Sequence, residues 1–80
     1  MYLYPNPSNA FINIITSNDQ PIEKVNVVSI DGKLFRSLRY DNFDNRHVIL
    51  PISNYPDGVH VALVQLFNGQ RISSTFRVKR

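Results

Sequence analysis

Apolar residues along this chain recur at every second position, and helical spacing is hard to find. Turn-forming residues break the alternation roughly every eight to twelve positions, the rhythm of short antiparallel strands. An extended piece at 2–4 runs into Pro5, whose ring removes a ladder donor and biases Tyr4 to extended geometry. Residues 10–16 read as a strand with Ile12 and Ile14 on one face. The cluster Ser17, Asn18, Asp19, Gln20 and Pro21 ends it. Residues 22–29 alternate again, with Val25 and Val27 on one side and Lys24 and Asn26 on the other.

Asp31-Gly32 then predicts a two-residue type I′ turn, in which both central residues take positive φ. Residues 33–39 return antiparallel, with Leu34 and either Phe35 or Leu38 packing inward, and 41–46 is a polar loop. In 47–52, Val48, Leu50 and Ile52 share a face, and Pro51 argues for a sheet edge or a strand end. Asn54, Tyr55, Pro56, Asp57 and Gly58 form a turn before 59–67, the most apolar strand, which is expected to be central. Asn68-Gly69 is the strongest hairpin signal, and 70–79 forms the last strand, with Ile72, Ser74, Phe76 and Val78 facing one way. The pattern predicts an all-β, immunoglobulin-like sandwich of two antiparallel sheets with about seven short strands; a five-stranded barrel is the alternative.

Eighty residues fit one domain, 1–80, with a thin core, because a chain of this size buries only about 60 to 65 per cent of its unfolded surface. No cysteine is present, so neither disulfides nor thiolate-bound zinc supplement that core. The net charge of +3 is mild, and most of the excess falls in Arg71, Arg77, Lys79 and Arg80. Basic residues are not interleaved with aromatics on one element as in nucleic-acid binders, and the usual recognition motifs are absent. No run of about 18 apolar residues exists to span a membrane as a helix. The first five residues lack the basic and apolar regions of a secretory signal peptide, so an exported chain of this kind is expected to be part of a longer protein.

The candidate chemistry is sparse. Gly32, Gly58 and Gly69 sit in turns, outside any phosphate-loop spacing. His47 and His60 lack convergent partners, and His60 reads as a half-buried ring. Asp41, Asn42, Asp44 and Asn45 offer oxygens without the ligand spacing of a calcium loop, so a solvated loop is the simpler reading. Ser73, Ser74 and Thr75 lie on a strand with no nucleophile elbow. The residues therefore point to no enzyme, no metal and no cofactor.

Function enters through the order of motifs. Tyr4-Pro5-Asn6-Pro7, then Ser8-Asn9 and the pair Ile12 and Ile14, resembles the opening signature of type IX secretion C-terminal sorting domains. Val25-Asn26-Val27 with Asp31-Gly32-Lys33-Leu34 resembles that family's central hairpin. The stretch from Ser53 through Gly58 and His60 to Val61 resembles its third block, with Tyr55 where Leu is usual and His60 where Tyr is usual. Asn68-Gly69 and Arg77-Val78-Lys79-Arg80 resemble its final hairpin and tail.

The resemblance implies a non-catalytic sorting signal. Its partners would be the type IX machinery at the outer membrane, a sortase-like peptidase that removes the domain, and a cargo domain N-terminal to it. The protein would pass through the periplasm and be secreted or held at the cell surface. Exposed edge strands leave weak homodimerisation open. The competing readings are an immunoglobulin-like adhesion or carbohydrate-binding module, for which Tyr40, Phe43 and Tyr55 are the candidate loop aromatics, and a structural spacer.

Overall fold

A computed structural model describes residues 1–5, 10–16, 20–40 and 46–79. They form seven strands: β1 (Tyr2–Tyr4), β2 (Phe11–Ile15), β3 (Ile22–Ser29), β4 (Leu34–Arg39), β5 (His47–Pro51), β6 (Gly58–Leu66) and β7 (Arg71–Val78). A three-stranded sheet in the order β1-β2-β5 faces a four-stranded sheet in the order β4-β3-β6-β7, and every pairing is antiparallel. This is the expected sandwich. Its fourth strand lies beside β3 in the larger sheet, whereas constant-type immunoglobulin domains place theirs in the other sheet.

The inward faces are those the alternation marks. Ile12 and Ile14 of β2 and Val48 and Leu50 of β5 are buried against Val25, Val27, Ala62, Val64, Phe76 and Val78 of the larger sheet. Ile22, Ile52, Leu66 and Tyr55 complete the core, and β6 is central as its apolar run predicts. Pro51 closes β5, an edge strand, where its missing N–H costs no ladder bond.

Two bulges depart from simple alternation. Ile22 pairs with Leu66 and Lys24 with Gln65, so β3 spends one extra residue, Glu23, and both Ile22 and Val25 face inward although they are three apart. On β4, Val27 pairs with Arg36 and Val28 with Leu34, which leaves Phe35 as the extra residue. That slip turns Leu34 outward, 58% exposed, against the expectation that it packs inside; Phe35 and Leu38 take the half-buried positions instead.

The hairpin turns also differ from the two-residue expectation. Gly32 N–H donates to Ser29 O at 3.0 Å while Ser29 N–H donates to Lys33 O at 2.8 Å. Gly69 N–H donates to Leu66 O at 3.0 Å and Leu66 N–H to Gln70 O at 2.8 Å. Both are three-residue loops in which only the glycine has positive φ, +91° and +90°, a type I turn followed by a glycine bulge. A side chain caps each loop: Lys33 N–H donates to Ser29 Oγ at 3.0 Å, and Gln70 N–H to Asn68 Oδ1 at 2.9 Å.

A Cβ added at Gly69 would meet nothing within 4 Å, so the cost of substitution there is backbone strain alone. Gly69→Val is expected to lower the urea-derived unfolding free energy by about 1 to 3 kcal/mol. Gly69→Asn should cost clearly less, because Asn tolerates the left-handed region. Equal losses for the two variants would contradict this account.

Candidate functional site

The motif residues divide between the two ends of the sandwich. Ser29 pairs with His60, Gly58 with Val78, and the Ser29 hydroxyl holds the Lys33 amide, so Gly32, Lys33, Gly58, His60, Val78 and Lys79 gather at one end. The start of β2 comes to the same end: Phe11 pairs with Pro51, Ile52 N–H donates to Ala10 O at 3.0 Å, and Tyr55 N–H donates to Ile52 O at 3.0 Å. Tyr4 pairs with Asn13, and the chain leaves β1 toward that end through Pro5 after a cis Tyr4–Pro5 peptide. Asn68 and Gly69 close the opposite end, where Phe67 N–H donates to Pro21 O at 3.2 Å. Asn6, Pro7 and Arg80 lie outside the described residues, as do Ser8, Asn9, 17–19 and the polar stretch 41–45.

Side-chain hydrogen bonds hold Tyr4, the first residue of the opening motif. His47 Nε2 donates to Asn13 Oδ1 at 2.8 Å, and Asn13 Nδ2 donates to Tyr4 O at 3.1 Å. Asn13 is buried although it lies on the outward side of β2, so this relay satisfies an amide that would otherwise be costly to cover. It also accounts for His47, whose ring anchors the end of β1.

The motif end is filled by rings. His60 lies 5.1 Å from Phe35 edge-on, 5.6 Å from Tyr55 and 5.6 Å from Phe76, and Phe35 stacks on Tyr55 at 5.8 Å. His60 is 3% exposed, so it is a core residue and not the half-buried ring its sequence position implies. Its Nε2 donates to Pro56 O at 2.9 Å, which ties β6 to the turn that enters it, while Nδ1 is buried without a hydrogen-bond partner. Tyr55 joins the same cluster, and burial raises its phenol above the usual 10.0, an effect the Arg36 charge partly offsets. The signal that sequence reasoning missed is pairwise: neither Tyr55 nor His60 reads as core alone, yet each is the other's neighbour.

Charge at this end comes from exposed side chains. Asp31 accepts from the Ser29 hydroxyl and then from the Lys33 amide, and these bonds hold its carboxyl below its ordinary 3.8. Lys33, Arg77 and Lys79 are exposed at the same end. Among the described residues no group of three or more metal-ligating side chains converges. Of the candidate loop aromatics for a carbohydrate site, Tyr55 is core and Tyr40 packs partly against the core, while Phe43 lies outside the described residues.

With the end assembled, the comparison with known families is decisive. The model of the secretion system C-terminal sorting domain matches residues 2–78, every strand of the sandwich. The chain belongs to that family. A type IX sorting domain serves as a secretion signal and implies a secreted or cell-surface protein. No curated protein matches the chain. Within the sorting domain, Tyr55 and His60 are in mutual ring contact.

Two outcomes follow from this packing. His60→Ala should cost about 3 kcal/mol or more in chemical denaturation, the scale of truncating a buried ring, whereas His60→Phe keeps the ring and should stay within about 1.5 kcal/mol of the parent. In an NMR titration the Asp31 carboxyl carbon should show a midpoint below 3.8, and Ser29→Ala should move it upward. Because the folded-state value is depressed, the turn's stabilisation is present above 3.8 and is lost as pH falls through the folded-state midpoint.

Proposed function

We propose that this domain acts as a folded export signal, recognised by the type IX machinery at the outer membrane while a cargo lies N-terminal to it. A sortase-like peptidase then removes the domain and attaches the cargo to an anionic lipopolysaccharide at the cell surface. The observation that carries this reading is the family match across all seven strands. The motif end adds physical support. Its glycines and Pro5 shape backbone, the rings of Phe35, Tyr55, His60 and Phe76 pack together, and the groups it presents to a receptor include the cations Lys33, Arg77 and Lys79 beside the exposed Phe11, Ile30 and Leu34. Recognition through charge suits a signal that must be read on many cargoes, because it demands no pocket and no chemistry from the domain.

The test separates charge from folding. Exposed terminal charges contribute only a few tenths of a kcal/mol to stability, so Lys79→Gln with Arg80→Gln should leave the melting temperature near that of the parent. Fused to a periplasmic reporter in a host with the secretion system, the double variant should accumulate inside the outer membrane. Normal export of this variant would show the tail charges to be dispensable. Failure of the intact domain to direct any export would defeat the sorting reading itself.

A further inference from the structure

Three of the four sheet edges carry a device that blocks further pairing. β1 is three residues long and runs into Pro5. β5 ends in Pro51. β4 is bulged at Phe35 and carries Arg36 and Arg39. Short strands, prolines, bulges and charges are the means by which sheets avoid edge-to-edge association. β7 lacks the first three: it has eight residues and no proline, and it pairs with β6 through eight consecutive positions without a shift. Its only charges, Arg71 and Arg77, flank five uncharged residues.

The backbone phase of this edge follows from the hairpin. Leu66 N–H bonds Gln70 O, so the antiparallel ladder alternates from there. Ile72, Ser74 and Phe76 direct their amide and carbonyl groups at β6, and Arg71, Ser73 and Thr75 direct theirs away from it. Among the described residues no strand lies beyond β7.

We propose that β7 is a docking strand: an extended acidic segment of a protein partner adds to this edge by main-chain hydrogen bonds to Arg71, Ser73 and Thr75. Within the sorting reading, on which this rests for its biological setting, that partner is a component of the secretion machinery. Charge decides what the segment is. Arg71, Arg77 and Lys79 alternate onto the outward face of the sheet, and β7 has no carboxylate. A second copy pairing antiparallel about Ser74 would set Arg71 opposite Arg77 at both ends, and like charges directly opposite destabilise a sheet. A strand with Glu or Asp at its ends meets complementary charge instead. Its main-chain bonds supply affinity without a pocket, as in other strand-addition complexes.

Proline placement gives a selective test. Thr75→Pro removes an outward N–H and leaves the β6 ladder whole, which an edge strand tolerates; Ser74→Pro removes an N–H aimed at β6. The Thr75→Pro domain should melt within about 8 °C of the parent, while export of its reporter fusion falls at least about tenfold. Ser74→Pro should lose stability as well. Export at parental level by a folded Thr75→Pro variant would overturn the proposal and leave the sorting reading intact.

A second measurement stands independently of export and of that variant's folding. The intact domain is titrated with the labelled peptide acetyl-Glu-Val-Thr-Val-Thr-Val-Glu-amide. Binding should weaken at least about tenfold when both Glu are replaced by Lys, vanish on N-methylation of alternate residues, and slow amide exchange at Ser73 and Thr75. Equal affinity for acidic and basic peptides, or protection confined to other strands, would refute strand addition at β7. Concentration-dependent dimerisation through β7 would assign the edge to a second copy and equally overturn the acidic-partner assignment.

Discussion

The fold depends on one contact, the packing of the inward face of β2 and β5 against that of β3, β6 and β7. With no cysteine in the chain and no metal-ligating cluster among the described residues, dry apolar packing between the sheets is what holds them together. Ile12, Ile14 and Leu50 on one side and Val25, Val27, Val64 and Phe76 on the other are buried almost completely. Branched side chains have few rotamers to lose, so such a core can be rigid although it is thin. The sheets are unequal, and the larger one is built on β3 and β6, each with partners on both sides for most of its length.

From that core the motif end acquires its shape. The ring cluster of Phe35, Tyr55, His60 and Phe76 extends the apolar interior to the sandwich's edge, and the Nε2–H of His60 ties the β5–β6 turn to it through Pro56. In this domain exposed cations lie at the motif end, on the outward side of β7 and on β4, while the regular edge lies on β7 itself. The edge and the charges of Arg71, Arg77 and Lys79 belong to the final hairpin and its tail, and both need the core behind them.

Glycine and proline placement kept the strand boundaries legible, because each residue imposes a backbone constraint that no neighbour removes. Pro51 at the end of an edge strand, Gly32 and Gly69 at positive φ, and the buried face of Ile12 and Ile14 all stand where local rules put them. Structure departs from local rules where one extra residue changes phase. Leu34 was expected inside, and the bulge at Phe35 turns it out; Asp31-Gly32 and Asn68-Gly69 were expected as two-residue turns, and each proves to be the last two residues of a three-residue loop. A bulge leaves almost no mark on a sequence, since its position is set by the register of the partner strand.

By itself, then, the sequence determined that this protein is all-β, which faces of its strands are apolar, where the turns fall, and, through the order of its motifs, the family to which it belongs. Those properties are local: alternation, turn chemistry and motif spacing are written in consecutive residues. Only the tertiary structure decided that β4 joins the sheet of β3, that His60 and Tyr55 become interior neighbours, that Asn13 and His47 anchor Tyr4, and that β7 is left as the one regular edge among the described residues. Each of these depends on which strands become neighbours and in what register. That choice is made by long-range packing of the two apolar faces, a collective property of residues far apart in the chain.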